Sequence, residues 1–131
     1  MFHSNSANRK ELGASPFLFM DGPEIFQFTL RIVPRTVHRI LASSGKSLED
    51  VDYFVFHQAN AFMLEHLRMK LNSPKEKFCI DMEETGNTVS ASIPIALHRA
   101  MVAGKLRSGM LVMLVGFGVG YSWGGCLVRL V

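Results

Sequence analysis

Twenty-one consecutive residues, Ser108 to Val128, carry no charge. That is long enough on paper for a helix across a bilayer, which needs about 20 apolar residues. Six of them are glycines: Gly109, Gly116, Gly118, Gly120, Gly124 and Gly125. Each interior glycine weakens a helix by about 1 kcal/mol relative to alanine, and the run Gly116-Phe117-Gly118-Val119-Gly120 would do so repeatedly. The stretch therefore predicts two strands joined through glycines rather than a membrane span. Leu111–Val115 is apolar at every position, as expected of a strand covered on both faces in mid-sheet. Tyr121 to Val131 is the final strand.

The rest of the chain alternates helix with strand. Residues 1–16 are polar and are expected to be a flexible segment ahead of one domain over 17–131. Phe17–Met20 is a candidate strand, ended by Asp21-Gly22-Pro23, a turn or a helix cap followed by proline. Phe26, Leu30, Val33, Val37, Ile40 and Leu41 recur at steps of three and four, the period of one helical face. Pro34 should kink that helix or mark where its regular part begins. Gly45 is a plausible stop. Val51–Phe56 is short, β-branched and aromatic, and reads as a buried strand. Met63, Leu64, Leu67 and Leu71 line a second helix, ended at Asn72-Ser73-Pro74. Phe78-Cys79-Ile80 is a short strand and 83–88 a loop. Ser90-Ala91-Ser92-Ile93-Pro94 opens a third helix with serine caps, an inner face of Ile93, Leu97, Ala100 and Met101, and a stop at Gly104. The fold class that follows is α/β: a layered domain with a mixed, largely parallel sheet flanked by helices.

Composition excludes several classes of function. With 48% apolar and 19% charged residues among 131, the chain closes a core and is not disordered. Fourteen Lys and Arg against 11 Asp and Glu leave a net charge of +3, far from the dense basic footprint of a nucleic-acid binder. Cys79 and Cys126 can make neither a disulfide framework nor a four-ligand zinc site, so no metal is expected. They read as reduced, buried, structural thiols of a cytoplasmic protein. The N-terminus lacks the apolar core of a signal peptide.

Sites in α/β sheets gather at the carboxyl ends of strands. His57 follows strand 51–56, Asn87 lies in the loop after 78–80, and Gly116–Gly120 follow strand 111–115. An imidazole N–H, a carboxamide NH₂ and free backbone N–H groups can thus surround one hollow, where converging donors would stabilise negative charge on a thioester oxygen. Position alone leaves the plainer readings open: a histidine satisfied structurally, and Gly86-Asn87 as a turn dipeptide. The glycine run is no dinucleotide fingerprint, because strand-forming residues follow it.

The wording narrows the choice. His57-Gln58-Ala59-Asn60, then Gly86-Asn87-Thr88-Val89-Ser90-Ala91-Ser92-Ile93-Pro94, then Gly116-Phe117-Gly118-Val119-Gly120-Tyr121-Ser122-Trp123-Gly124 occur in this order. From about Phe17 to Val131 the chain resembles the C-terminal half of β-ketoacyl-[acyl-carrier-protein] synthase III, of the thiolase-like superfamily. The resemblance implies a condensing acyltransferase of fatty acid biosynthesis. Such enzymes load an acyl group from acyl-CoA onto a cysteine, decarboxylate malonyl-acyl carrier protein (malonyl-ACP), and join the two; these are substrates, and no cofactor is implied.

In that comparison His57 and Asn87 match the catalytic pair that hydrogen-bonds the malonyl thioester oxygen. Asn60 matches a residue of the pantetheine tunnel, and Phe117 the aromatic beside the reactive thiol. The backbone N–H of Val119 matches part of the oxyanion hole. Two departures stand out. A basic residue used near the phosphate of CoA or the carrier protein is replaced by Phe62, and the family's cysteine lies in an N-terminal half that these residues do not include.

Alone, the chain is therefore expected to be inactive, with the cysteine-bearing half, acyl-CoA and acyl carrier protein as partners and neither nucleic acid nor membrane among them. The alternative is a non-catalytic acyl-CoA or carrier-protein binding or assembly module. Half of a two-half fold should also expose an apolar face and self-associate as a homo-oligomer.

Overall fold

The computed structural model describes residues 21–118 and 120–131. The expected flexible segment 1–16, the candidate strand Phe17–Met20 and Val119 lie outside them. Helix α1 (Gly22–Ser44) begins where Asp21 Oδ1 accepts the Glu24 N–H at 3.0 Å. It ends at Gly45, whose φ of 63° needs the left-handed freedom of glycine. The helix continues through Pro34. Proline inside a helix costs about 3 kcal/mol, through a lost hydrogen bond and a clash. Burial of Phe28, Val33, Val37 and Leu41, at about 1.5–3 kcal/mol each, outweighs that.

Strand β1 (Tyr53–Phe56) is buried along its whole length. It leads to α2 (Ala61–Lys70), capped by Asn60, whose Oδ1 accepts the Met63 N–H at 2.8 Å. After a turn of 3₁₀ helix at Lys75–Lys77, Phe78-Cys79-Ile80 forms no full strand. It makes a single parallel bridge, Phe54 to Phe78, at the free edge of β1. Its neighbours explain this: the Cys79 N–H bonds the Phe54 carbonyl, but the Asp81 N–H turns to the Gln58 side chain. A second 3₁₀ turn (Val89–Ala91) leads into α3 (Ser92–Val102).

Strands β2 (Leu111–Gly118) and β3 (Ser122–Arg129) complete a sheet of order β1-β2-β3. The β1–β2 pairing is parallel and β2–β3 antiparallel, so the sheet is mixed and the fold α/β. The uncharged stretch is thus the central strand and its hairpin partner. Among the described residues, no helix is long and apolar enough to cross a membrane.

Alternation along the strands fills both faces. Phe54, Phe56, Met113 and Val115 pack with Val33, Val37, Leu64 and Leu67 of α1 and α2. Tyr53, Val55 and Val112 pack with Ala96 and Ala100 of α3. Two expectations need correction. Met101 is 47% exposed and Ala96 takes its inward place, one turn from Ala100. Cys126 is exposed rather than buried, because β3 is the edge strand of the sheet among the described residues; Cys79 is buried as expected.

Candidate functional site

His57 is the first residue past β1, and its N–H donates to the Val115 carbonyl at 2.9 Å, which extends the parallel ladder by one step. The side chain is half-buried at the carboxyl ends of β1 and β2. Its ring meets Phe117 edge-on, with centroids 5.3 Å apart. Its Nδ1 lies 2.7 Å from Ser92 Oγ, at the start of α3. Burial lowers the imidazole pKa below 6.5, while a hydrogen bond with the Val89 backbone works the other way.

Asn87 is exposed and makes an Asx turn, its Oδ1 accepting the Val89 N–H at 2.9 Å. With the carbonyl end spent on the backbone, the NH₂ end is the donor left over. Val89 itself sits at φ 54°, a strained value for a β-branched residue. Its backbone therefore touches both candidate groups, Asn87 through the N–H and His57 through its own hydrogen bond.

The structure thus gathers His57, Phe117 and the 87–92 segment. Asn60 is exposed at the start of α2, and its side-chain oxygen caps that helix. Phe62, 66% exposed, stacks on Phe26 at 5.5 Å and tilts against His66 at 4.2 Å. That point offers an aromatic surface where the resemblance implies a basic residue. Arg68 does not replace it, since its guanidinium grips Glu65 and the Ser73 carbonyl.

The expected serine caps of α3 are absent, for the N-cap position is Ala91 and no side chain caps there. Ser92 Oγ lies against the His57 ring instead. Gln58, 1% exposed, is a second residue whose role the sequence did not announce. Its Nε2 donates to the carbonyls of Phe56 and Cys79 at 2.7 and 3.4 Å, and its Oε1 accepts the Asp81 N–H at 2.9 Å. Asp81 in turn accepts from Arg99 of α3 at 2.6 Å. A long polar residue directly after a strand-end histidine was the available signal.

A cleft of about 680 Å³ lies elsewhere, lined by Tyr53, Arg68, Phe78, Cys79, Asp81 and Arg99 among others; neither His57 nor Asn87 borders it. Burial comes first in raising the Cys79 thiol pKa, so it is a poor nucleophile. Among the described residues, no three His, Cys, Asp or Glu side chains cluster to hold a metal ion.

Comparison with known proteins gives a consistent result. Residues 41–130 match the family described as 3-oxoacyl-[acyl-carrier-protein (ACP)] synthase III C terminal. A β-ketoacyl-[acyl-carrier-protein] synthase III of Bacillus cereus is 38% identical over 126 residues, covering 96% of this chain and 41% of that protein. A crystal structure of a 3-oxoacyl-(acyl-carrier-protein) synthase III is 51% identical, with a TM-score of 0.83 over 85% of this chain and 33% of the other. A 3-oxoacyl-(acyl-carrier protein) synthase structure from Burkholderia xenovorans is 41% identical, with a TM-score of 0.83 over 95% of this chain and 36% of its own. The chain thus spans about two fifths or less of the length of each of these relatives.

Proposed function

The chain belongs to the 3-oxoacyl-[acyl-carrier-protein] synthase III C-terminal family, with a thiolase-like fold, and from that premise we propose that it is the decarboxylating half-site of a condensing acyltransferase. The complete reaction joins an acyl group from acyl-CoA to malonyl-ACP in the initiation of fatty acid synthesis. The observation that supports the reading is the setting of His57 at the end of β1, its ring against Phe117 and its Nδ1 against Ser92, five residues after Asn87. His57 and Asn87 each present one N–H donor. Two such donors on the malonyl thioester oxygen stabilise the enolate that forms as CO₂ leaves. Phe117 covers one side of the His57 ring, which strengthens the hydrogen bond that the ring makes.

The nucleophilic cysteine comes from a segment outside these residues. Cys79 is buried beside β1, with its thiol pKa raised by burial, and Cys126 is exposed on β3. Val89, before α3, and Met101 and Val102, at its end, are 70%, 47% and 76% exposed; apolar side chains left in water at these two places suit cover by the partner half, or by a second copy of this chain when that half is absent. Both cysteines are free thiols, which suits a reducing cytoplasm. Phosphate docking at Phe62 is not part of the proposal.

Two assays test it. The 131-residue chain should show no acyl-CoA-dependent condensation with malonyl-ACP, and turnover lost in Cys79→Ala or Cys126→Ala would overturn the reading. Grafted in place of the matching segment of the Bacillus cereus relative, the chain should support condensation. His57→Ala or Asn87→Ala should then cut the rate by about 10²–10³-fold, as removal of one such donor does elsewhere. Unchanged rates would refute the assignment.

A further inference from the structure

The hydrogen of the His57 ring can sit on either nitrogen, and only one choice leaves a donor facing away from Ser92. Ser92 is 3% exposed, so its hydroxyl has to be satisfied by protein groups. Its oxygen has two partners among the described residues: His57 Nδ1 at 2.7 Å and the Gln58 backbone N–H at 3.2 Å. The Gln58 N–H is a donor and occupies one lone pair. A serine hydroxyl has a single hydrogen to give. Were the imidazole hydrogen on Nδ1, both neighbours would donate to Oγ and the serine hydrogen would be buried without an acceptor. With Nδ1 unprotonated, the chain Gln58 N–H to Ser92 Oγ, then Ser92 O–H to His57 Nδ1, satisfies every group.

The geometry leaves little room to escape this choice. Gln58 is pinned at both ends of its side chain, so its backbone N–H cannot turn away. The His57 backbone is held by Val115, and its ring is flanked by Phe117. Ser92 is also not diverted to capping, because the helix N-cap is the residue before it.

We propose that Ser92 is a positioning residue that donates its hydroxyl hydrogen to Nδ1 and thereby holds His57 as the Nε2–H tautomer. For its catalytic meaning this rests on the condensing role given above: the Nε2–H, the ring donor that the Val89 backbone otherwise takes up, is then offered to the thioester oxygen. The tautomer itself can be read without substrate.

The test is long-range ¹H–¹⁵N correlation on the ¹⁵N-histidine-labelled chain, above pH 6.5, with His57→Gln to assign the ring. The Nε2–H form should exceed the other by about tenfold or more, the ratio that goes with sparing a buried hydroxyl. Its Nδ1 should resonate as a hydrogen-bond acceptor. Ser92→Ala should move that resonance to the position of an unbonded imine nitrogen, and Ser92→Thr should restore it. An Nδ1–H tautomer in the unaltered chain, or an Nδ1 resonance unmoved by Ser92→Ala, overturns the proposal. Should Ser92→Ala fail to fold, the tautomer of the unaltered chain decides. Because no turnover is measured, failure of the grafted-enzyme assay and failure of this one are separate results.

Discussion

Gly125 and Gly124 are neighbours on β3, yet a methyl group at one meets a wall and at the other meets nothing. A Cβ on Gly125 would lie 2.6 Å from the Leu114 carbonyl oxygen, 2.9 Å from Ile40 Cδ1 and 3.1 Å from Val115 Cγ2. Ile40 can rotate its terminal methyl. The Leu114 oxygen cannot retreat, because it belongs to the central strand, which is paired to β1 on one side and to β3 on the other. Around Gly124 nothing lies within 4 Å. Overpacking of this kind costs about 1–3 kcal/mol. At Gly124, alanine should instead add about 0.4–1 kcal/mol by restricting the unfolded chain. The two variants should therefore differ by roughly 1.4–4 kcal/mol. For a domain of this size that is about 6–16 °C in melting temperature. Thermal unfolding followed by far-ultraviolet circular dichroism reads the difference directly. Gly125→Ala and Gly124→Ala melting within about 2 °C of each other would refute the packing argument.

The two thiols should separate cleanly. An aromatic disulfide reagent should modify Cys126 at once in the native chain and Cys79 only after denaturation, and Cys126→Ser should remove the fast phase; two fast thiols would contradict the burial of Cys79. Stability should also depend on His57. Burial lowers its folded-state pKa below 6.5, so the unfolded chain takes up the proton first. The contribution is fully present above pH 6.5 and is lost as pH falls through that value toward the folded pKa. Urea midpoints should drop on acidification across this window, and less so in His57→Gln; an identical drop in both would remove His57 as the source.

How much of this was legible beforehand follows from the range of the forces involved. The 3.6-residue period of α1 and the all-apolar run of β2 are local patterns, and both elements lie where those patterns put them. Phe78-Cys79-Ile80 looked like a strand because its residues favour one. Whether a strand forms depends on pairing over several residues, and Asp81 diverts its N–H to Gln58. Ser90 and Ser92 looked like caps because serine at a helix start usually is one, but His57, 35 positions earlier in the chain, competes for Ser92. Cys126 looked buried from its apolar neighbours, and only the sheet order shows that its strand lies at an edge. The placement of His57 after a strand and of Asn87 in a turn was readable because strand ends and turns are visible in one dimension. Gln58 and Ser92 stood within the same motifs, but their partners are set by the folded arrangement.

The contacts around His57 form a closed circuit. From Ser92 the path runs along α3 to Arg99, across to Asp81, through the Gln58 side chain to its backbone, and back to Ser92. One side of this ring is a helix and another a strand end, so it acts as a truss. The Arg99–Asp81 pair is half-exposed and of the kind worth little to overall stability. Cutting it still opens the ring and leaves the imidazole's support on a single path. Damage to any one strut should thus be tolerated while the opposite strut stands, and the loss should come in pairs, well beyond the sum of the single cuts.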